Sequence, residues 1–310
     1  MYRLLLFISL TNILSAQNIN VKIQSNIACF TENKDSILNY QIADKSLNGT
    51  YKRSNYIHPL YTLDGQILTE DFPKDHLHHR GVFWAWHQLY INDTKLGDAW
   101  DINDFHWIVK SVKELKVEGK AKAIQAEVLW KTTRWKDENG KEKPVVREMT
   151  TIKVYPTKNR YRQIDIKISI CALESNMSLG GAQNKTGYGG FSARVRLVND
   201  IAFASSTGVV TPDILPVIAG DWIDISGSFS KDGVLSGLSI LSHPDNPGFP
   251  NPWVLRSKGS MQNAVYPYPG ESAVPLSETQ PTTLRYRLLV HEGDNEALDI
   301  ESIHTDFGKN

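Results

Sequence analysis

The chain has 310 residues, 41% hydrophobic and 22% charged, which is enough apolar content for a sizeable core and too much for a disordered chain. Lysine plus arginine and aspartate plus glutamate both total 34, giving a formal net charge of +0. That balance removes the basic excess of a general nucleic-acid binder, and no segment approaches the ~20 apolar residues of a membrane-spanning helix.

Arg3 precedes a short apolar run over residues 4–10 that ends near Ser15-Ala16-Gln17. This is the layout of a secretory signal peptide, so residues 1–16 are expected as a leader and residues 17–310 as one exported domain, periplasmic or secreted. Cys29 and Cys171 lie far apart without CxxC or Cys/His spacing, which argues against a Cys-rich zinc site. A disulfide between them and two separate buried thiols both remain open.

Further along, runs rich in β-branched and aromatic residues alternate with turn residues. Strands are expected near residues 21–24, 36–42, 82–91, 106–118, 121–130, 145–154, 163–170, 191–198, 236–242 and 283–291. Asp137-Glu138-Asn139-Gly140 supplies the positive φ angles of a tight hairpin between two of them. Only the tail reads as helix, with Asn295 as a cap and Ala297, Leu298, Ile300, Ile303 and Phe307 near helical spacing. The expected fold is all-β: one large antiparallel β-sandwich with a short C-terminal helix and no domain boundary. Eight of the 14 prolines fall between Pro244 and Pro281, marking a long irregular segment that either closes one end over a ligand or covers a sheet edge.

The densest chemistry is Asp75-His76-Leu77-His78-His79-Arg80-Gly81, with three of the nine histidines in four positions. Imidazoles titrate near neutral pH and can donate, accept or ligate, so this density points to acid–base or metal chemistry. An extended backbone would place His76 and His78 on one face and His79 on the other. That spacing gives two metal ligands and needs a third from elsewhere, since HExxH is absent. Arg80 is a permanent cation suited to a substrate carboxylate or an oxyanion.

Period-two alternation after the cluster puts Trp84, Trp86 and Tyr90 on one face, where they either stack on a sugar ring or fill the core. His58, in Tyr56-Ile57-His58-Pro59-Leu60-Tyr61, is a further candidate wall residue. Glu148 follows the Asn-Gly turn; facing inward it would have a raised pKa and serve as acid or base, facing outward it is ordinary surface. Glycines around Tyr188 do not precede a helix as a dinucleotide motif would, so they either let backbone approach a ligand or make a bulge. His243, Trp253 and Arg256 bracket the start of the proline-rich segment and can complete a polar pocket. No GxSxG elbow is present.

The run Tyr56 to Tyr61 with Asp64-Gly65, the Asp75-to-Trp86 block, Gly187-Tyr188-Gly189-Gly190, the His243-to-Arg256 segment, and Leu284-Arg285-Tyr286-Arg287 with His291-Glu292-Gly293 together resemble the bacterial family labelled PmoA-like. That label refers to a methane-oxidising membrane enzyme, whose spans this sequence lacks. The resemblance implies instead an exported β-sandwich similar to the galactose mutarotase-like fold, of the kind frequent in polysaccharide-utilising bacteria. It implies carbohydrate chemistry by fold analogy.

The expectation is therefore an exported carbohydrate-active enzyme that cleaves or isomerises a sugar. His78 or His79 would move the proton, Glu148 would be the complementary group, Arg80 the clamp, and Trp84, Trp86 and Trp253 the stacking surfaces. No cofactor and no nucleic-acid partner are called for; the sugar and the oligomeric state stay open. A non-catalytic glycan-binding protein and a metal-dependent enzyme at His76 and His78 are the rivals.

Overall fold

Regular alternation of buried and exposed side chains builds the long strands. In Lys122–Lys136, the inward positions include Ala126, Val128, Trp130 and Thr132, while the residues between them reach solvent. Its hairpin partner Glu142–Val154 returns through the expected turn, where Asp137 and Lys141 pair and Gly140 has φ 76°. The computed structural model describes residues 18–309, so the expected leader lies outside the described residues.

These two strands belong to a nine-stranded antiparallel sheet. It runs from Phe105–Leu115 through Lys122–Lys136, Glu142–Val154, Tyr161–Ala172, Thr282–Glu292, Ser236–Ser242 and Trp222–Gly227 to an edge at residues 202–209. The facing eight-stranded sheet contains Ile19–Ile23, Ile27–Glu32, Asp35–Gln41, Ile57–Leu60, Val82–Ala85, Gly190–Ala193, Gln262–Val265 and Trp253–Val254. One continuous apolar cluster lies between them, with Phe191 of one sheet stacked on Tyr286 of the other at 4.2 Å. The chain thus forms the expected all-β antiparallel sandwich with a short C-terminal helix.

Local departures have identifiable causes. The run 82–91 is two strands, Val82–Ala85 and Gln88–Ile91, in different sheets. Between them the Trp86 carbonyl leaves the ladder to accept from the amides of Ala99 and Trp100. Strand Gly190–Ala193 is shorter than the expected 191–198, and Phe105–Leu115 stops before residue 118. At the tail, Asn295 opens only a 3₁₀ turn capped by Asp294. The helix Ile300–Phe307 is capped instead by Asp299, whose carboxylate accepts from the Ser302 amide. That helix buries Ile300 and Phe307 beside Trp222, Leu241 and Leu289. Cys29 and Cys171 are free thiols. Among the described residues no helix is long and apolar enough to cross a membrane.

Candidate active site

The histidine block lies between strands Ile57–Leu60 and Val82–Ala85 and is not extended. Two successive turns, closed by His76 N to Pro73 O at 3.1 Å and His79 N to His76 O at 2.9 Å, fold it back on itself. All three imidazoles therefore meet: His76 and His79 stack at 4.6 Å with an interplanar angle of 3°. His78 stands edge-on to them at 5.8 and 4.6 Å. This corrects the expectation that His79 faces away from the other two. Gly81 ends the block at φ 37°, and a Cβ there would collide with the Ile57 carbonyl, so only glycine fits.

Asp75 holds the block in place. Its carboxylate receives Arg194 Nη2 at 2.7 Å and Nη1 at 3.0 Å, the Ser260 amide at 2.6 Å, and His76 Nδ1 at 3.0 Å. Burial pushes the Asp75 carboxyl upward, but these donors outweigh it and hold the group well below the usual carboxylate range. Arg194, buried and also paired with Glu70 at 2.8 Å, thereby ties the histidine turns to the loop carrying residues 256–261.

Between these two loops is a cavity of about 400 Å³ lined by Asp75, His76, His78, His79, Trp100, Asp101, Tyr188, Val254, Arg256 and residues 258–261. Trp100 forms part of its wall, 5.8 Å edge-on to His79 and 4.9 Å from the Tyr188 ring. Asp98 sets that wall: one oxygen accepts from the Trp100 and Asp101 amides at 2.9 and 3.0 Å, the other meets His87 Nδ1 at 2.9 Å. Asp101 in turn lies 3.7 Å from His78 Nε2.

The electrostatics bring the pKa values of His78 and Asp101 toward each other. Burial, then the nearby His76, lowers His78 to about 4, so its ring is neutral at pH 7. Burial together with His78 lowers the enclosed His79 to about 2, and its Nδ1 has no hydrogen-bond partner. Burial and the Asp98 charge raise Asp101. A neutral imidazole beside a carboxylate can take up a proton and have the resulting charge balanced.

For a metal, His87, Asp98 and Asp101 are the described group whose ligand atoms lie within 4.8 Å of one another. Both Asp98 oxygens are already engaged, so a cation would have to displace those bonds. The expected pair His76 and His78 is not in that group, and His76 Nδ1 is held by Asp75. A larger groove of about 900 Å³ at residues 18–20, 114–117 and 119–122 gathers no comparable set of imidazole and carboxylate side chains.

Residues 29–305 match the family of unknown function DUF6807, a span that includes every residue lining the cavity. The chain belongs to that family. No comparison returned a PmoA-like family, and no curated protein matches. Among solved structures similar to this DUF6807 chain is a candidate mutarotase from Salmonella typhimurium, with 10% identity, 89% of this chain and 92% of that one covered, and a TM-score of 0.33. A GH36 alpha-galactosidase from Geobacillus stearothermophilus, solved with raffinose, gives 10% identity and a TM-score of 0.33 over 89% of this chain and 41% of that one. At such TM-scores neither likeness carries an argument about chemistry.

Of the expected site residues, this DUF6807 member brings His78, His79, Tyr188 and Arg256 to one cavity. Glu148 faces inward as one expectation had it, yet it is sealed between the sheets. Asn55 donates to it at 2.9 and 3.0 Å, Trp84 Nε1 at 2.9 Å, Trp130 Nε1 at 2.7 Å, and the Thr150 hydroxyl at 2.5 Å. Burial raises its pKa, but it does not line the cavity. Arg80 is no clamp either: it is buried against Asp71 at 2.8 Å, the Lys45 and Tyr51 carbonyls and the Phe72 ring.

His58 points Nδ1 at Thr69 Oγ1, 3.0 Å away. Trp84, Trp86 and Trp253 are core residues whose indole N–H groups donate to Glu148, the Tyr266 carbonyl and the Gly220 carbonyl. His243 packs edge-on against Phe307 at 4.8 Å, so the first part of the proline-rich segment braces the C-terminal helix. The glycines near Tyr188 serve backbone packing: a Cβ on Gly181 or Gly270 would strike the Gly187 carbonyl. Sequence reasoning missed Trp100 and Asp101; the signal was an aspartate-flanked tryptophan, Asp98-Ala99-Trp100-Asp101, just after a short strand.

Proposed function

We propose that this protein binds a carbohydrate in the imidazole-lined cavity and isomerises it by proton transfer. His78 is the group that takes and returns the proton, and Asp101 balances the charge of the transient imidazolium. The observation that carries the reading is the His78 Nε2 to Asp101 Oδ1 separation of 3.7 Å on the cavity wall.

Size and surface support it. A volume of about 400 Å³ suits one or two sugar rings, and the Trp100 and Tyr188 rings offer aromatic surface to sugar C–H faces. Two-carboxylate hydrolysis is less well served, because it needs two opposed free carboxyl groups. Asp75 is engaged by Arg194, which leaves Asp101 as the available acid in the lining. Moving a proton from one position of the sugar to another consumes no water and requires one proton shuttle.

A thermal-shift screen against neutral sugars, uronic acids and oligosaccharides, followed by NMR of the best ligand, tests the reading. Stabilisation by a sugar with conversion to an isomer is the expected result. Stabilisation without conversion would move the protein to the glycan-binding class, hydrolysed product would replace isomerisation by cleavage, and no stabilisation by any sugar would overturn the carbohydrate assignment.

A further inference from the structure

We infer that the cavity selects an acidic sugar, a uronic acid, and that Arg256 receives its carboxylate. The inference rests on the carbohydrate reading above and adds the charge class of the substrate.

Among the described residues, four of the five buried arginines, Arg80, Arg162, Arg194 and Arg287, each meet a carboxylate, at 2.8, 2.9, 2.7 and 2.7 Å respectively, and the fifth, Arg53, donates to the Trp84 carbonyl and packs on the Phe83 and Trp107 rings. Among the described residues no carboxylate oxygen forms such a pair with Arg256. Its guanidinium donates only to backbone carbonyls: Nη1 to Asp213 at 2.7 Å and Leu255 at 2.8 Å, and Nη2 to Ile214 at 2.9 Å. Those bonds consume both Nη1 hydrogens and one on Nη2. Nε–H and one Nη2–H remain, and Nε with Nη2 is the edge of a guanidinium that can grip a planar carboxylate side-on.

The backbone around this edge is fixed in advance. The buried Gln262 side chain accepts from the Arg256 amide and donates to the Arg256 carbonyl, both at 2.8 Å. The three carbonyl acceptors then restrain the guanidinium itself, which cuts the ordering cost of binding.

Among the described residues, the Arg256 and Lys258 cations line the cavity with no carboxylate at ion-pair distance, whereas Asp75 and Glu70 share Arg194.

Isothermal titration of galacturonate and glucuronate against galactose, glucose and the uronate methyl esters tests the inference, using wild type, Arg256→Gln and Arg256→Lys. A uronate should bind at least ~10-fold tighter than its neutral counterpart, Arg256→Gln should erase that preference, and Arg256→Lys should retain part of it, since the charge survives and the fork does not. Equal binding of acidic and neutral sugars, or an undiminished preference in Arg256→Gln, would overturn the inference while leaving the carbohydrate reading intact. Acetate binding as tightly as a uronate would overturn it as well, by showing an anion site without sugar recognition. Failure of every sugar, charged or neutral, would instead remove the carbohydrate reading on which it rests.

Discussion

Arg194 grips Asp75 through two nitrogens, Nη2 to Oδ1 at 2.7 Å and Nη1 to Oδ2 at 3.0 Å, and this contact joins the two loops that form the cavity. Arg194 is buried and Asp75 only partly so, which places the guanidinium in the position of a buried charge that needs its partner. Asp75→Asn should therefore lower unfolding stability by about 1–3 kcal/mol, below the range for a broken buried pair because Glu70 still meets Arg194 at 2.8 Å and Asp75 keeps some water. It should also abolish ligand-induced stabilisation. Urea unfolding with and without sugar checks both; wild-type stability in the variant would mean that the pair does not hold the loops.

Glu148 makes the opposite prediction. Its carboxylate is fully buried and surrounded by donors from Asn55, Trp84, Trp130 and Thr150. Removing it in Glu148→Ala leaves those donors unsatisfied and should cost about 3–5 kcal/mol of stability. Turnover per folded molecule should stay within about twofold of wild type, because Glu148 is outside the cavity lining. A turnover loss without a stability loss would return Glu148 to the catalytic role.

Acid sensitivity follows from the buried histidines. His58 and His78 are held near 4, against an ordinary value of 6.5, with burial the leading cause in both. The unfolded chain therefore binds more protons between those values, so stability is full above about pH 6.5 and falls as pH drops toward 4. His78→Asn should flatten the melting temperature against pH in that window. The same lowered value predicts activity that rises through about pH 4 to a plateau, as a base must be unprotonated. An acidic limb near pH 6.5 would show that His78 is not desolvated.

Chelation separates the acid–base account from metal chemistry. With Asp98 engaged by His87 and by two amides, treatment with EDTA should leave both melting temperature and turnover unchanged. Stoichiometric metal by elemental analysis, with loss of activity on its removal, would assign His87, Asp98 and Asp101 to a metal centre.

Much of the fold is visible in sequence because alternation and turn chemistry are local. The Lys122–Lys136 and Glu142–Val154 hairpin is encoded by Asn139-Gly140 and by period-two burial on either side. The break at Trp86-His87 is not visible, since residues 82–86 are all buried and an apolar run of that kind reads as one strand. The site is legible in its histidines and in Tyr188 and Arg256. Arg80 and Arg256 look alike in sequence, and what separates them is Asp71, which reaches Arg80 across an isolated bridge. Asp101 enters the site through packing between segments distant in sequence, and Glu148 leaves it because its inward face meets the closed core.

The account's central claim is that His78 moves a proton on a bound sugar. NMR in D₂O, following isomerisation of the sugar that gives the largest thermal shift, compares wild type with His78→Asn and Asp101→Asn. His78→Asn should lower kcat by about 10²- to 10⁴-fold with little change in binding, and Asp101→Asn by a smaller factor. Undiminished turnover in a folded His78→Asn protein would contradict the claim.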